Sequence, residues 1–445
     1  MKKKKLLVAL LVAIIVMGGT ITVFSITNRT HCPTETAIAP PTAKGCVFKT
    51  VFNEDAPKRE LDPGFRHPTP ENALKSISKA LEWLMTAQHP DGGWGAGSHA
   101  HQNIIDPHAV VADPATTAMV SMAIMRSGST LVQGKHSNQL KKATEYILKS
   151  IEATPPNQLN ITTATGTQIQ SKLGANIDVI LSAQYLTNLL DHLAHDPNLK
   201  KRVEQNLNIC LQKIQRAQGT NGAISGAGWA GVLQSGLAGN VLETAQSKGM
   251  EVDSVALEKS RQYQKDNYNV GTGSVDAADG AGVVLYSVSN TTRSSAKESR
   301  KAEETIEDAK KNGVLAPSAP VTVDNLTKAG MSQDEALKYS TAYEIYNSAK
   351  KTAQNKSVMN GFGNNGGEEF LSFLQTGESL VIGKDYSWKK WYDNMAATLL
   401  SIQNDNGTWN GHHCITSPVF CTATCILVLS INNDIDALVA VGADK

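Results

Sequence analysis

The sequence predicts an all-α fold in which paired helices close into a ring, apolar members inside and amphipathic members outside, behind an N-terminal membrane anchor. Three observations predict it. Apolar residues recur at helical spacing from Thr69 onward. One turn grammar joins an amphipathic helix to an apolar one near both ends of the chain. A long uncharged stretch follows four lysines at the start. The 445 residues suffice for one large domain or two ordinary ones, and 41% apolar content suits a globular core. A net charge of +1, with no sustained basic run after the N-terminus, excludes a nucleic-acid binder.

Lys2 to Lys5 precede the uncharged stretch Leu6 to Ile26. As a helix rising about 1.5 Å per residue, that stretch covers the roughly 30 Å core of a bilayer. Lysines ahead of it keep the N-terminus cytoplasmic and send the remainder outward. Residues 1–26 are therefore a signal-anchor or, with Val23 and Ser25 as small cleavage-site residues, a cleaved signal peptide. The length of the apolar stretch favours the anchor. Both readings put the folded part outside the cytoplasm, membrane-anchored on the first and secreted on the second. Residues 27–68, rich in Pro and Thr, form a linker. Within it Cys32 and Cys46 either close a small loop or stay reduced. Cys210, Cys421 and Cys425 sit in helical patterns where reduced cysteine acts as a small core residue.

The helical domain spans 69–435, with 436–445 as a tail. Its first helix places Leu74, Ile77, Leu81, Leu84 and Met85 on one face, and a late helix does the same with Trp388, Trp391, Met395, Leu399 and Ile402. After the first, Gln88 leads Asp91, Gly92 and Trp94; after the second, Gln403 leads Asn406, Gly407 and Trp409 at identical offsets. A weaker copy has Gln218, Asn221 and Gly222, with Ile224 in the tryptophan place. Each copy ends a helix, turns on Asp/Asn-Gly, where glycine tolerates positive φ, and inserts a large apolar side chain. Asp113-Pro114 and Ser417-Pro418 then open second helices, an N-cap followed by proline at the first helical position. These second helices are apolar nearly all round and must be surrounded, which makes them the inner layer. Strand-like alternation is confined to a doubtful stretch, 282–288. The charged segment 290–320 is read as an insertion, a solvated helix or a mobile loop.

The Gln-x-x-Asp/Asn-Gly-x-Trp units resemble the QW repeats of the prenyltransferase and squalene-cyclase superfamily, whose fold is an (α/α) toroid. From Gly361 the tail, with GFGNNGGEEF and GTWNGHHCITSPVF, further resembles bacterial prenyltransferase/squalene-oxidase-repeat proteins of unassigned activity. The resemblance covers roughly 69–433. It implies a terpenoid-cyclase-like toroid and an apolar or isoprenoid ligand. A cyclase of this superfamily protonates an alkene with an Asp-x-Asp-Asp acid, which this chain lacks; Asp276 and Asp279, beside glycines, fit turn chemistry better. With aromatics at 5% of residues and several tryptophans already assigned to turns, few remain for cation-π walls. The Asp-x-Cys part of the prenyltransferase zinc motif has no counterpart, and Gly366-Gly367-Glu368 replaces the cysteine context a thioester domain needs.

Two groups of residues remain for chemistry. His99 and His101 follow the first turn; His412, His413 and Cys414 follow the last. If the ring closes, equivalent loops of the first and last hairpins meet, and His99, His101, His413 and Cys414 become ligands for zinc. The alternative is that they satisfy backbone groups and pack the rim. Glu368 and Glu369 at a helix start either serve the helix dipole or supply a carboxyl whose pKa rises in apolar surroundings, a general acid or base. The function expected is a binding or scaffold role toward an apolar small molecule or extended peptide, in the central cavity or at the rim. A zinc enzyme with a rim site, or a divergent cyclase or prenyltransferase, is the rival.

Overall fold

The structure, a computed structural model, describes residues 61–443. The expected anchor and the Cys32 and Cys46 pair lie outside the described residues. Apart from one two-stranded ribbon, the described chain is helical. The first hairpin is α1 (Glu71–Thr86) and α2 (Pro114–Arg126). The second is α3 (Ser137–Glu152), a short α4 (Gln168–Lys172) and α5 (Ile177–Leu189). The third pairs α6 (Pro197–Ala217) with α7 (Gly231–Ser247). The fourth pairs α8 (Ser254–Asp266) with α9 (Val284–Lys311), the antiparallel strands β1 (Tyr268–Asn269) and β2 (Ser274–Val275) lying between. In the fifth, α10 (Val323–Lys328), α11 (Gln333–Ala353) and α12 (Lys356–Met359) lead to α13 (Gly367–Ile382). The sixth pairs α14 (Trp388–Ser401) with α15 (Pro418–Leu429), and α16 (Ile435–Gly442) follows.

Among the described residues the second helices of the six hairpins pack in cyclic order: α2 on α5, α5 on α7, α7 on α9, α9 on α13, α13 on α15, and α15 back on α2. The first helices lie against them, α1 on α15, α3 on α2, α6 on α5, α8 on α7, α11 on α9 and α14 on α13. Composition explains the layering. All twelve residues of α15 are buried, and so are twelve of the thirteen in α2. In α1 only one stripe is covered, Ala73, Ser76, Ile77, Ala80, Leu81 and Leu84, and Leu74, expected on that stripe, is 50% exposed.

The repeated turn has a common geometry. Gly92, Gly222 and Gly407 have φ of 95°, 92° and 93°, where a side chain is strained. Trp94 and Trp409 are buried, and each indole donates 2.8 Å to a carbonyl of the preceding helix, Leu84 or Leu399. Gln88 donates to Gly92 O in its own turn (2.8 Å) and to Gln139 O on α3 (3.0 Å). Gln403 donates to Gly407 O (2.8 Å) and Ser76 O on α1 (3.4 Å); Gln218 donates to Gly222 O (3.3 Å) and Ala256 O on α8 (2.9 Å). Each glutamine thus fastens its turn to the first helix of a following hairpin. The last turn reaches α1, the first α-helix among the described residues.

Four expectations need correction. Residues 290–320 are no solvated insertion, because 290–311 belong to α9, whose buried residues include Asn290, Arg293, Glu298 and Arg300. Much of its polarity is partnered inside the fold: Asn290 and Thr292 bond the carbonyls four residues back, and Arg293 and Glu298 meet Glu243 and Lys265. The doubtful strand at 282–288 contains the start of this helix, at Val284. The linker ends before residue 68, since Phe65 is buried and its carbonyl accepts from Trp388 Nε1 at 3.1 Å. Residues 436–442 are no tail but most of α16, which packs on α7, α9 and α13 with Leu438 and Val441 covered. Among the described residues no single helix is long and apolar enough to cross a membrane.

Candidate functional site at the mouth of the ring

The loops that lead into the inner helices bond to one another, so they share one end of the ring. Ser98 bridges Thr167, Gly174 bridges Ala227, His412 N donates to Asn365 O, and Gly367 N donates to Ile415 O. Gln168, at the start of α4, accepts from Thr416 N (2.7 Å) and Ser417 N (3.1 Å), tying the second hairpin to the sixth. At the helices' other ends Arg126 binds Glu378 (2.7 Å) and Leu427 O (3.1 Å), and Arg300 donates to Val439 O (2.7 Å). Cationic side chains there answer carbonyls at helix C-termini. One end is clamped; the other carries polar side chains from several hairpins.

At the looped end Lys172, Glu368, Glu369, His413 and Cys414 come together. Lys172 ends α4, is 4% exposed, and its ammonium lies 4.5 Å from the Trp229 ring centre. Glu368 and Glu369 open α13, both buried. Glycine precedes them because α13 meets the 411–415 loop closely: a Cβ on Gly367 would stand 2.6 Å from the Ile415 side chain. Glu369 accepts from Tyr286 OH (2.6 Å), Phe362 N (3.1 Å) and Gly366 N (2.9 Å), which makes it a helix cap and loop anchor. Glu368 receives a longer bond from Ile415 N (3.3 Å). Burial, then the neighbouring Glu369, pushes its carboxyl up to about 7, so at neutral pH it both holds and releases a proton. Burial raises Glu369 as well.

Cys414 has a φ of 58°, an uncommon conformation for a residue with a side chain. Burial and the Glu368 charge push its thiol up to about 11, against the pull of Lys172, so it is a thiol rather than a thiolate at neutral pH. His413 Nε2 lies 2.6 Å from Asn364 O and 3.6 Å from Glu369 Oε1, and its ring lies tilted against Phe362 with centres 4.9 Å apart. Phe362 and Trp229 are 62% and 68% exposed, an aromatic margin around a buried polar centre. Close by, Asp113 caps α2 by accepting from Thr116 N (2.7 Å), and burial with the nearby Asp178 raises it to about 7.

The expected zinc set does not form. Among the described residues no group of three or more His, Cys, Asp or Glu side chains is arranged to hold a metal ion. His99 engages Gln102 through Nδ1, and His101 is exposed. One nitrogen of His413 is committed to a backbone carbonyl, and burial holds Cys414 protonated. The loops do approach, through Thr416 Oγ1 donating to Gln102 O at 2.8 Å, but a hydroxyl and an amide make that contact. Asp276 serves turn chemistry, accepting from Ala278 N (2.9 Å), whereas Asp279 accepts from the Tyr263 hydroxyl on α8.

Sequence reasoning missed Lys172, Tyr286 and Trp229. Lys172 lies in QIQSKLGAN, where nothing local separates it from a surface lysine. No protein-family model matches the chain, and no curated protein matches it. Among solved structures it is similar to the apo form of the type II terpene cyclase MstE from Scytonema, at 13% identity over 83% of this chain and 100% of that one, with a TM-score of 0.43.

Proposed function

We propose that the protein is an exported, membrane-tethered (α/α) toroid of the terpenoid-cyclase and prenyltransferase type, whose mouth binds an uncharged, largely apolar ligand such as an isoprenoid. The cyclic packing of six helical hairpins and the three glutamine-fastened turns support the toroid and its QW repeats. The observation that carries the binding site is the meeting of Lys172, Glu368 and Cys414, from three separate hairpins, beside exposed Trp229. Two carboxyls against one ammonium disfavour a diphosphate head, while exposed aromatic rings suit an apolar chain. Farnesol titrated into the full-length protein in detergent is expected to change tryptophan fluorescence saturably. Trp229→Phe should remove most of that change, and Lys172→Met should weaken binding about tenfold. A change that never saturates, or that both variants retain, sinks the proposal.

One observation favours a second reading, catalysis by proton transfer: the Glu368 carboxyl sits near pH 7 beside an ammonium and a thiol. On that reading Glu368→Gln keeps farnesol binding and loses turnover of any substrate found for the wild type.

A further inference from the structure

At the edge of the mouth, residues 360–366 join α12 to α13 with the sequence NGFGNNG. Gly361 and Gly363 hold φ of 55° and 93°, which glycine adopts without strain. At Gly361 the backbone passes close to Glu369, where a Cβ would stand 2.6 Å from Cγ. Phe362, Gly363 and Asn364 then project outward, exposed, and a Cβ on Gly363 would meet nothing within 4 Å. Beyond its own turns the segment is held by hydrogen bonds and one ring, all to residues of the mouth. Phe362 N and Gly366 N donate to Glu369 (3.1 and 2.9 Å), His412 N donates to Asn365 O (2.7 Å), and Phe362 leans on the His413 ring.

His413 shows what the closed position leaves undone. Its Nε2 donates to Asn364 O at 2.6 Å, so in the neutral ring Nδ1 is a lone-pair acceptor. That nitrogen is buried and has no hydrogen-bond partner. We propose that residues 360–366 form a hinged flap over the mouth, and that lifting it opens His413 Nδ1 to a hydroxyl carried by the ligand. The inference rests on the apolar-ligand reading above and adds to it a gate and a head group. Hydrogen bonds traded for bonds to water are worth little net, and an unpaired buried acceptor is costly, so closed and lifted positions lie close in free energy. Lifting breaks the bond to Asn364 O but leaves Nε2 with Glu369 Oε1, 3.6 Å away, as its next acceptor. The ligand hydroxyl supplies the donor that Nδ1 lacks, so the mouth selects an alcohol over an analogue without an O–H.

The test uses the full-length protein in detergent with farnesol and with farnesyl methyl ether, in which a methyl group replaces the hydroxyl proton. Farnesol should bind about tenfold or more tighter than the ether, and His413→Phe, which keeps a ring against Phe362, should bring the two within about twofold. Stopped-flow fluorescence of Trp229 reads the gate. Phe362→Ala should raise the association and dissociation rates together, by about threefold or more, because a gate slows both directions whereas a lost contact speeds release alone. Phe362 is 62% exposed, so the unfolding midpoint of this variant should match the wild type. Equal affinities for alcohol and ether overturn the flap and its head group, and so does a Phe362→Ala protein in which only dissociation is faster. Saturable binding of neither ligand overturns the apolar-ligand reading as well.

Discussion

Two inner helices, α15 and α9, hold equivalent places in the packing order and are made of opposite material. Helix α15 is PVFCTATCILVL, buried throughout, its Thr422 and Thr424 hydroxyls bonded to backbone carbonyls. Helix α9 is more than twice as long and buries serines, threonines, an asparagine, two arginines and a glutamate. Burial of α15 is driven by its own surface leaving water. Burial of α9 depends on partners supplied elsewhere: Glu243 from α7, Lys265 from α8 and Gln375 from α13. A position inside the ring is thus reached by being apolar or by being matched.

The difference is sharpest under substitution. Trp409→Ala beside α15 should cost about 3–5 kcal/mol through a cavity. Glu243→Ala beside α9 should cost a similar 3–5 kcal/mol, by leaving Arg261 and Arg293 without their shared carboxylate. Urea unfolding measures both, and pH separates them. Burial alone would raise Glu243, but Arg293 and Arg261 outweigh it and hold the carboxyl at about 2. Its stabilisation is therefore present above the unfolded-state pKa and lost as pH falls through the folded one, so the Glu243→Ala deficit should shrink in acid while that of Trp409→Ala stays constant. Deficits that move together with pH would erase the distinction.

The mouth should answer pH with the opposite sign. Glu368 is raised on folding, so its contribution is complete below the unfolded-state pKa and is lost as pH rises through about 7. Glu368→Gln should be less destabilised between pH 6 and pH 8.5 than the wild type, by about 1–3 kcal/mol. Parallel profiles of melting temperature against pH would show that the carboxyl does not titrate there. The smallest effect expected is at the turns. Gln403→Ala should cost about 1–2 kcal/mol, and Gln218→Ala less, because the bond of Gln218 to its own turn is longer at 3.3 Å against 2.8 Å.

Much of the frame was legible in the residues. The offsets from Gln88 to Trp94 and from Gln403 to Trp409 name a turn whose bonds the structure displays, and Ser417-Pro418 and Asp113-Pro114 mark helix starts correctly. The site was half legible. Glu368, Glu369, His413 and Cys414 were singled out and do meet, with Lys172 rather than with His99 and His101 as their neighbour. Helix α9 was misread because its sequence shows charge without showing the opposite charges 33 to 50 residues away that neutralise it.

By itself the sequence determined where α2 and α15 begin and where the repeated turns fall, since caps, glycine φ and apolar spacing act within a few residues. It also determined that α2 and α15 would be covered, because a helix with no polar face has nothing to show water. Only the tertiary structure decided which carboxylates hold a proton, which cations are paired, and that Lys172 rather than a histidine faces Glu368. Those outcomes depend on burial and on the distance between charges far apart in the chain, and electrostatic energy is a property of distance through space, not along the backbone.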